Sequence, residues 1–303
     1  MGQVINQEER RVNNMEVKKI AILGAGTMGT QIAQLAAVTG LEVSIADIED
    51  KILQASFSTI KGNLKKFFVD KGKMTQEEAD RVVSRIKGTL DLKRAVEGAQ
   101  LVIECVPEEM ELKQQMFKRL DELCAPETIL ATNTSSLSIS AIGSLTQRQD
   151  RVIGMHFFNP AAVMRLVEII RGAKTSDETY QVIKDLAAKF GKETITVNKD
   201  APGFVVVRLF VVLANEAVKL LEEGIATAED IDKGCQLGLG HAMGPLKSHD
   251  ITNGIPVTLH CLDYMRNQLG DSYRPCQMWR TKVWAGELGV KTGKGFYDYS
   301  QQP

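Results

Sequence analysis

The stretch Lys19-Ile20-Ala21-Ile22-Leu23-Gly24-Ala25-Gly26-Thr27-Met28-Gly29 decides the fold. Its first five residues read as a short buried strand, and they run directly into the pattern GxGxxG. Over 27–39 the apolar period becomes helical, with Ile32, Leu35 and Ala36 on one face and Gly40 as the stop. A glycine turn between strand and helix lets the backbone approach a pyrophosphate closely. It also aims the helix's free N–H groups and positive dipole end at the phosphates. The pattern alone is weak, but its context is specific. A second strand over 41–46 ends at Asp47, eighteen residues after Gly29, where a dinucleotide site requires an acid. Gly24, Gly26, Thr27, Met28, Gly29 and Asp47 are therefore the expected cofactor contacts. Asp47 would bind both ribose hydroxyls and repel a 2′-phosphate, which favours NAD over NADP. The bland alternatives are a turn rich in glycine for packing and an aspartate that only caps a helix.

Working outward, strands are expected over 100–106, 129–132 and 152–156, with a helix over 110–123 between the first two. The segment 48–87 reads as polar and helical, with the basic run Lys61, Lys65, Lys66, Lys71 and Lys73. Two shorter strands, 166–170 and 194–197, flank a helix opened by Thr175-Ser176-Asp177-Glu178, which fits a capping box. Strands alternating with helices imply an α/β fold: a parallel, doubly wound, Rossmann-type sheet over 17–200. After Ala201-Pro202-Gly203 the alternation stops. A long helix over 204–223 closes at Gly224, Thr227 caps the next, and helices continue to about Leu288. A helical C-terminal domain over 201–303 follows from that change of rhythm.

Composition excludes several classes. The 303 residues carry 37 basic and 38 acidic groups and a net charge of −1, which gives no footprint for nucleic acid or an anionic membrane. Apolar residues make up 44%, yet no run reaches a membrane span, because Arg208 breaks the longest candidate. The five cysteines are scattered and lack a CxxC pair, so they read as free thiols in a reducing compartment, the cytoplasm. Residues 1–16 read as a flexible tail without the apolar segment of a secretory signal. No His, Cys or Asp cluster has metal spacing.

Two polar residues stand in apolar surroundings. His156 lies in GMHFFNP, 154–160, and Glu168 in Leu166-Val167-Glu168-Ile169-Ile170, which lacks polar alternation. A covered carboxylate requires a partner. An imidazole at a strand end is a suitable proton acceptor, and a carboxylate on its other nitrogen fixes the tautomer. By periodicity alone a core histidine satisfied by a carbonyl fits as well. Ser248-His249-Asp250 resembles a triad only as a string, since adjacent residues do not face one another, and His241, His249 and His260 read as structural or exposed.

GAGTMG, NTSSLSIS at 133–140, GMHFFNP and KTGKGFYDY at 291–299 together resemble the 3-hydroxyacyl-CoA dehydrogenases, with the match closest to the short bacterial 3-hydroxybutyryl-CoA branch. The resemblance covers about 17–299. It implies NAD-linked interconversion of (S)-3-hydroxyacyl-CoA and 3-ketoacyl-CoA, an active site in a cleft between the two domains, and a homodimer. It assigns His156 as catalytic base, Glu168 as its partner and Ser135 as a substrate-contacting hydroxyl. It adds Glu108, Lys113, Ser135, Asn159 and Lys291 to the cofactor contacts, and it places Lys66 and Lys71 in the stretch that contacts CoA. A solvated basic face is the plain alternative for the two lysines.

Two departures stand against this pattern. The family has an asparagine that bonds the substrate where this chain has Val207, in Gly203-Phe204-Val205-Val206-Val207-Arg208. The usual GLD-like triplet after Asp250 is replaced by Ile251-Thr252-Asn253-Gly254-Ile255. Two other functions therefore stay open: an NAD dehydrogenase of a free hydroxy acid, and an NAD-binding protein without catalysis. Losing one oriented donor costs on the order of 10²–10³ in rate. The expected outcome is slow turnover of acetoacetyl-CoA or preference for another substrate, with Val207→Asn raising turnover in steady-state kinetics. A native protein that is already fast, or an unresponsive variant, contradicts it.

Overall fold

The structure, a computed structural model, describes residues 15–300. Of the tail expected over 1–16, residues 1–14 lie outside the described residues. By its internal packing the chain divides into two units, one through Asp200 and one from Ala201.

In chain order the first unit runs β1 (Lys19–Leu23), α1 (Thr27–Val38), β2 (Glu42–Ala46), α2 (Asp50–Leu64), α3 (Gln76–Ser84), β3 (Ile86–Thr89), α4 (Leu92–Val96), β4 (Leu101–Glu104), α5 (Met110–Leu123), β5 (Ile129–Thr132), α6 (Ile139–Ile142), β6 (Val152–Phe157), β7 (Leu166–Arg171), α7 (Asp177–Lys189) and β8 (Glu193–Val197). The eight strands form one sheet in the order β3-β2-β1-β4-β5-β6-β7-β8. The chain leaves β1 on one side and returns beside it as β4. In such sheets ligands bind at the carboxyl ends of the strands flanking that reversal. Ile20, Ile22, Ile45, Leu101 and Ile103 have no exposed surface, and each buried side chain of this size contributes about 1.5–3 kcal/mol.

The turn after β1 is built on glycine geometry. Gly24 sits at φ +96°, and a Cβ there would lie 2.6 Å from the Cys105 carbonyl oxygen. A Cβ at Gly29 would lie 1.8 Å from the Gly24 carbonyl oxygen, so α1 presses on the turn that opens it. At Gly26 a Cβ would meet nothing within 4 Å, which leaves open space in front of the helix.

Three expectations in this unit need correction. The segment 48–87 is not helical to its end: Ile86–Thr89 is the edge strand β3, paired with β2. Only Ile86 of it is buried, so no apolar pattern announces it. The sheet is not wholly parallel: β6 and β7 are antiparallel. The eight residues 158–165 between them are too few for a parallel crossover, which takes a dozen or more. At α7 there is no capping box. Ser176 is the N-cap and accepts from the Thr179 N–H, whereas a reciprocal box forms at Thr75 and Glu78.

The second unit contains α8 (Val206–Glu222), α9 (Ala228–Leu239), α10 (Pro245–Thr252), α11 (Gly254–Leu269) and α12 (Gln277–Trp284). Helix α8 begins at Val206 rather than 204, because Gly203 and Phe204 take positive φ of 74° and 50°. Thr227 caps α9 by accepting from the Asp230 N–H. Trp279 is fully buried, donates Nε1–H to Asn215 Oδ1 at 3.1 Å and meets the Phe296 ring edge-on. Asp250, also buried, fastens the segment after α12: its carboxylate accepts from the backbone N–H groups of Phe296 and Tyr297 and from the Tyr299 hydroxyl. A Cβ at Gly295 would lie 2.1 Å from Asp250 Oδ1, which accounts for glycine in KTGKGFYDY. Among the described residues no helix is long and apolar enough to cross a membrane.

Candidate active site

His156 and Glu168 are directly opposed in the antiparallel register of β6 and β7. Their side chains meet at 2.7 Å, Nδ1 to Oε2, with 4% and 0% of their surfaces exposed. A carboxylate can only accept, so Nδ1 carries the proton and the Nε2 lone pair is the basic one. All six residues of β6 are buried, so the strand is covered on both faces. The Phe158 ring lies 4.5 Å from the imidazole. A base with fixed tautomer, oriented by a buried carboxylate, can take a proton from a hydroxyl and return it to a forming alkoxide.

The dinucleotide cradle fits its ligand. No side chain caps the N-terminus of α1, and its first turn has no acidic residue. That leaves N–H groups and the positive dipole end for an anion. Asp47 stands at the end of β2 as the motif requires. Its Oδ2 accepts from the Ala25 N–H at 2.7 Å and its Oδ1 from the Ile48 N–H at 2.8 Å, so it also closes the glycine turn. A carboxylate has about four lone-pair directions, which leaves capacity for ribose hydroxyls.

Beside this turn lies a carboxylate network that the sequence reading found only in part. Glu108 Oε1 accepts from the Thr134 hydroxyl and from the N–H groups of Ser135, at 2.8 Å, and Ser136, at 3.1 Å. Asn133 Oδ1 accepts from the Phe157 N–H at 2.9 Å, which ties the Ser135 loop to the strand carrying His156. Lys113 is only 1% exposed. Its ammonium donates to Glu104 Oε1 at 2.7 Å and to the Val106 carbonyl at 3.1 Å, with Glu108 Oε2 at 3.4 Å. Burial opposes the ammonium, but Glu104 and Glu108 more than offset it and hold Lys113 above the usual lysine value. The residue missed is Glu104, fully buried and also accepting from Thr132 and the Val106 N–H. A lone carboxylate in the apolar run Leu101–Glu104 is the same signal that marked Glu168.

A cavity of about 1070 Å³ opens within the first unit. One wall is the glycine turn and α1, with Thr27 and Gln31. Another is α2 and the π-helical turn Lys65–Val69, and a third is Pro160, Ala162 and Val163. Lys71 lines it with Lys51 and Lys73. Lys66 does not; its ammonium lies 5.2 Å over the Phe67 ring. Lys291 is exposed in the second unit, on the segment that Asp250 fastens. Val207 is part-buried against the helical core of that unit. His249 is buried, and its ring nitrogens pair with the Pro245 carbonyl and the Thr258 hydroxyl rather than with Ser248 or Asp250. Burial pushes its imidazole below the usual value. Among the described residues no His, Cys, Asp or Glu group could hold a metal.

Residues 19–201 match the family described as 3-hydroxyacyl-CoA dehydrogenase, NAD binding domain, and residues 203–299 its C-terminal domain. A probable 3-hydroxybutyryl-CoA dehydrogenase of Bacillus subtilis is 46% identical over 289 residues, covering 95% of this chain and 99% of its own. A 3-hydroxybutyryl-CoA dehydrogenase of Bradyrhizobium diazoefficiens is 40% identical over 284 residues, covering 93% and 96%. The solved (S)-3-hydroxybutyryl-CoA dehydrogenase of Ralstonia eutropha superposes with a TM-score of 0.88 at 41% identity, covering 94% of this chain and 100% of that one.

The buried network makes a stability prediction. Glu104→Ala leaves the Lys113 charge largely uncompensated and should cost about 3–5 kcal/mol. Replacing both partners, as Glu104→Leu with Lys113→Met, should recover most of that loss. Urea midpoints of the single and double variants measure both.

Proposed function

We infer that this chain, which belongs to the 3-hydroxyacyl-CoA dehydrogenase family, interconverts (S)-3-hydroxybutyryl-CoA and acetoacetyl-CoA. Its cofactor is NAD. The observation that carries the reading is the buried 2.7 Å contact between His156 and Glu168. In the oxidising direction the C3 hydroxyl gives its proton to His156 Nε2, the C3–H bond breaks, and the C3=O double bond forms. NAD, when bound, receives the hydride. Glu168 stabilises the imidazolium and keeps the ring in place. In the reverse direction the imidazolium protonates the forming alkoxide.

Gly24, Gly26, Thr27, Met28, Gly29 and Asp47 would hold the dinucleotide, with Glu108, Ser135, Asn159 and Lys291 as further contacts and Lys113 acting behind Glu108. Ser135 would also touch the substrate. For the CoA phosphates Lys71 is better supported than Lys66, since it lines the cavity with Lys51 and Lys73. That basic lining favours a CoA ester over a free hydroxy acid. Slow turnover due to Val207 belongs to the same reading. Because Val207 packs against a core, its asparagine variant needs a melting control.

A homodimer is also proposed. Leu209 and Val212 on α8 and Leu237 on α9 are 70%, 44% and 79% exposed, which fits an apolar face covered by a second copy. Leu209→Glu should then shift the sedimentation coefficient from dimer to monomer.

The reaction is tested by NADH-dependent reduction of acetoacetyl-CoA, with NADPH and free acetoacetate as controls. His156→Ala should abolish it. Glu168→Gln should lower kcat by about 10²–10⁴-fold, because the base loses its orienting charge. Equal rates with the free acid would overturn the CoA assignment.

A further inference from the structure

Gln31, in the second turn of α1, reaches across to the loop between β6 and β7. Ala161 on that loop is buried, and its backbone N–H donates to Gln31 Oε1. A backbone N–H has no other role, so Oε1 is fixed as the acceptor and Nε2 as the donor. Nε2 donates to Asn159 Oδ1 at 3.0 Å. The orientation of one amide therefore dictates that of the next. The Asn159 oxygen is engaged by Gln31, and its NH₂ group is turned to the other side. Among the described residues no protein group accepts from Asn159 Nδ2.

The loop is held from a second direction. Lys192, buried at 8% exposure, donates to the carbonyls of Ala161 and Met164, the latter at 2.8 Å. Burial pushes its ammonium below the usual lysine value. With the carbonyl of Ala161 fixed by Lys192 and its N–H by Gln31, Asn159 is presented on a pinned segment. Pro160 and Gln31 themselves line the cavity.

We propose that Gln31 is a positioning residue that sets the polarity of Asn159, keeping its amide as a hydrogen-bond donor to a carbonyl-type oxygen of the bound ligand. The inference rests on the reading of this site as the place of NAD-linked oxidation. Two oxygens have the right chemistry: the carboxamide of the nicotinamide and the 3-keto group of the substrate.

Gln31→Glu tests it. The carboxylate still accepts from the Ala161 N–H but offers Asn159 a second acceptor. Asn159 must then turn its NH₂ group toward residue 31 and show the ligand an oxygen. Gln31→Leu removes the clamp without imposing the wrong polarity. Both are measured by calorimetric NADH titration, by kcat and KM for acetoacetyl-CoA, and by melting temperature. Loss of one such hydrogen bond should weaken the affected step about tenfold. A rise in the NADH dissociation constant assigns the carboxamide; an unchanged constant with a fall in kcat/KM assigns the keto oxygen. Either supports the proposal if Gln31→Glu is worse than Gln31→Leu while melting no lower. In an Asn159→Ala background, Gln31→Glu should have no further effect. Independent, multiplying effects of the two changes, or parental binding and kinetics in Gln31→Glu, overturn it. A parent that reduces no acetoacetyl-CoA overturns the proposed reaction instead. The NADH titration then decides for Gln31 alone, an unmoved constant counting against it.

Discussion

A carboxylate shut away from water has to be matched inside the fold, and two such groups organise the first unit. Glu168 and Glu104 are both strand residues without exposed surface. Leaving either unpartnered would consume much of the few kcal/mol by which a domain is stable. Glu168 is matched across the antiparallel ladder by His156, and Glu104 by Lys113 and Thr132. β4 and β5 end at Glu104 and Thr132, and His156 is one residue from the end of β6. Charge matching therefore gathers these polar side chains near the strand ends where an open sheet receives its ligands.

The antiparallel step from β6 to β7 is what makes the dyad possible. In that register His156 and Glu168 face one another although twelve residues separate them in sequence. A further parallel strand would have required a helical crossover and a longer connection. The short loop that replaces it brings Asn159 and Ala161 against α1, so one topological choice serves both the His156–Glu168 pair and a wall of the cavity.

Much of this was legible in the chain. The strand before Gly24, the acid at 47 and the helix over 110–123 all stand where pattern and turn chemistry put them. Strand direction was not legible, because apolar period is the same in parallel and antiparallel strands. β3 was missed because an edge strand with one buried residue carries no period. Lys66 and Lys71 entered together by resemblance; that only Lys71 lines the cavity was not legible, because the π-helical turn at Lys65–Val69 departs from the regular 3.6-residue step. Glu104 was overlooked although it obeys the rule that singled out Glu168. The partners of Lys113 all fall within residues 104–108, at the end of β4 and just after it, so the network lies in one short stretch.

The chain has two tryptophans, Trp279 and Trp284, and both lie in the helical unit. Trp279 is sealed among Asn215, His249 and Phe296, while Trp284 is 73% exposed. The Rossmann unit has no indole of its own. Intrinsic emission is thus a private label of the second unit: a blue component from Trp279 that vanishes when that core opens, over a red component from Trp284 that scarcely moves. Loss of the sheet beside an intact helical unit would pass unseen by indole light.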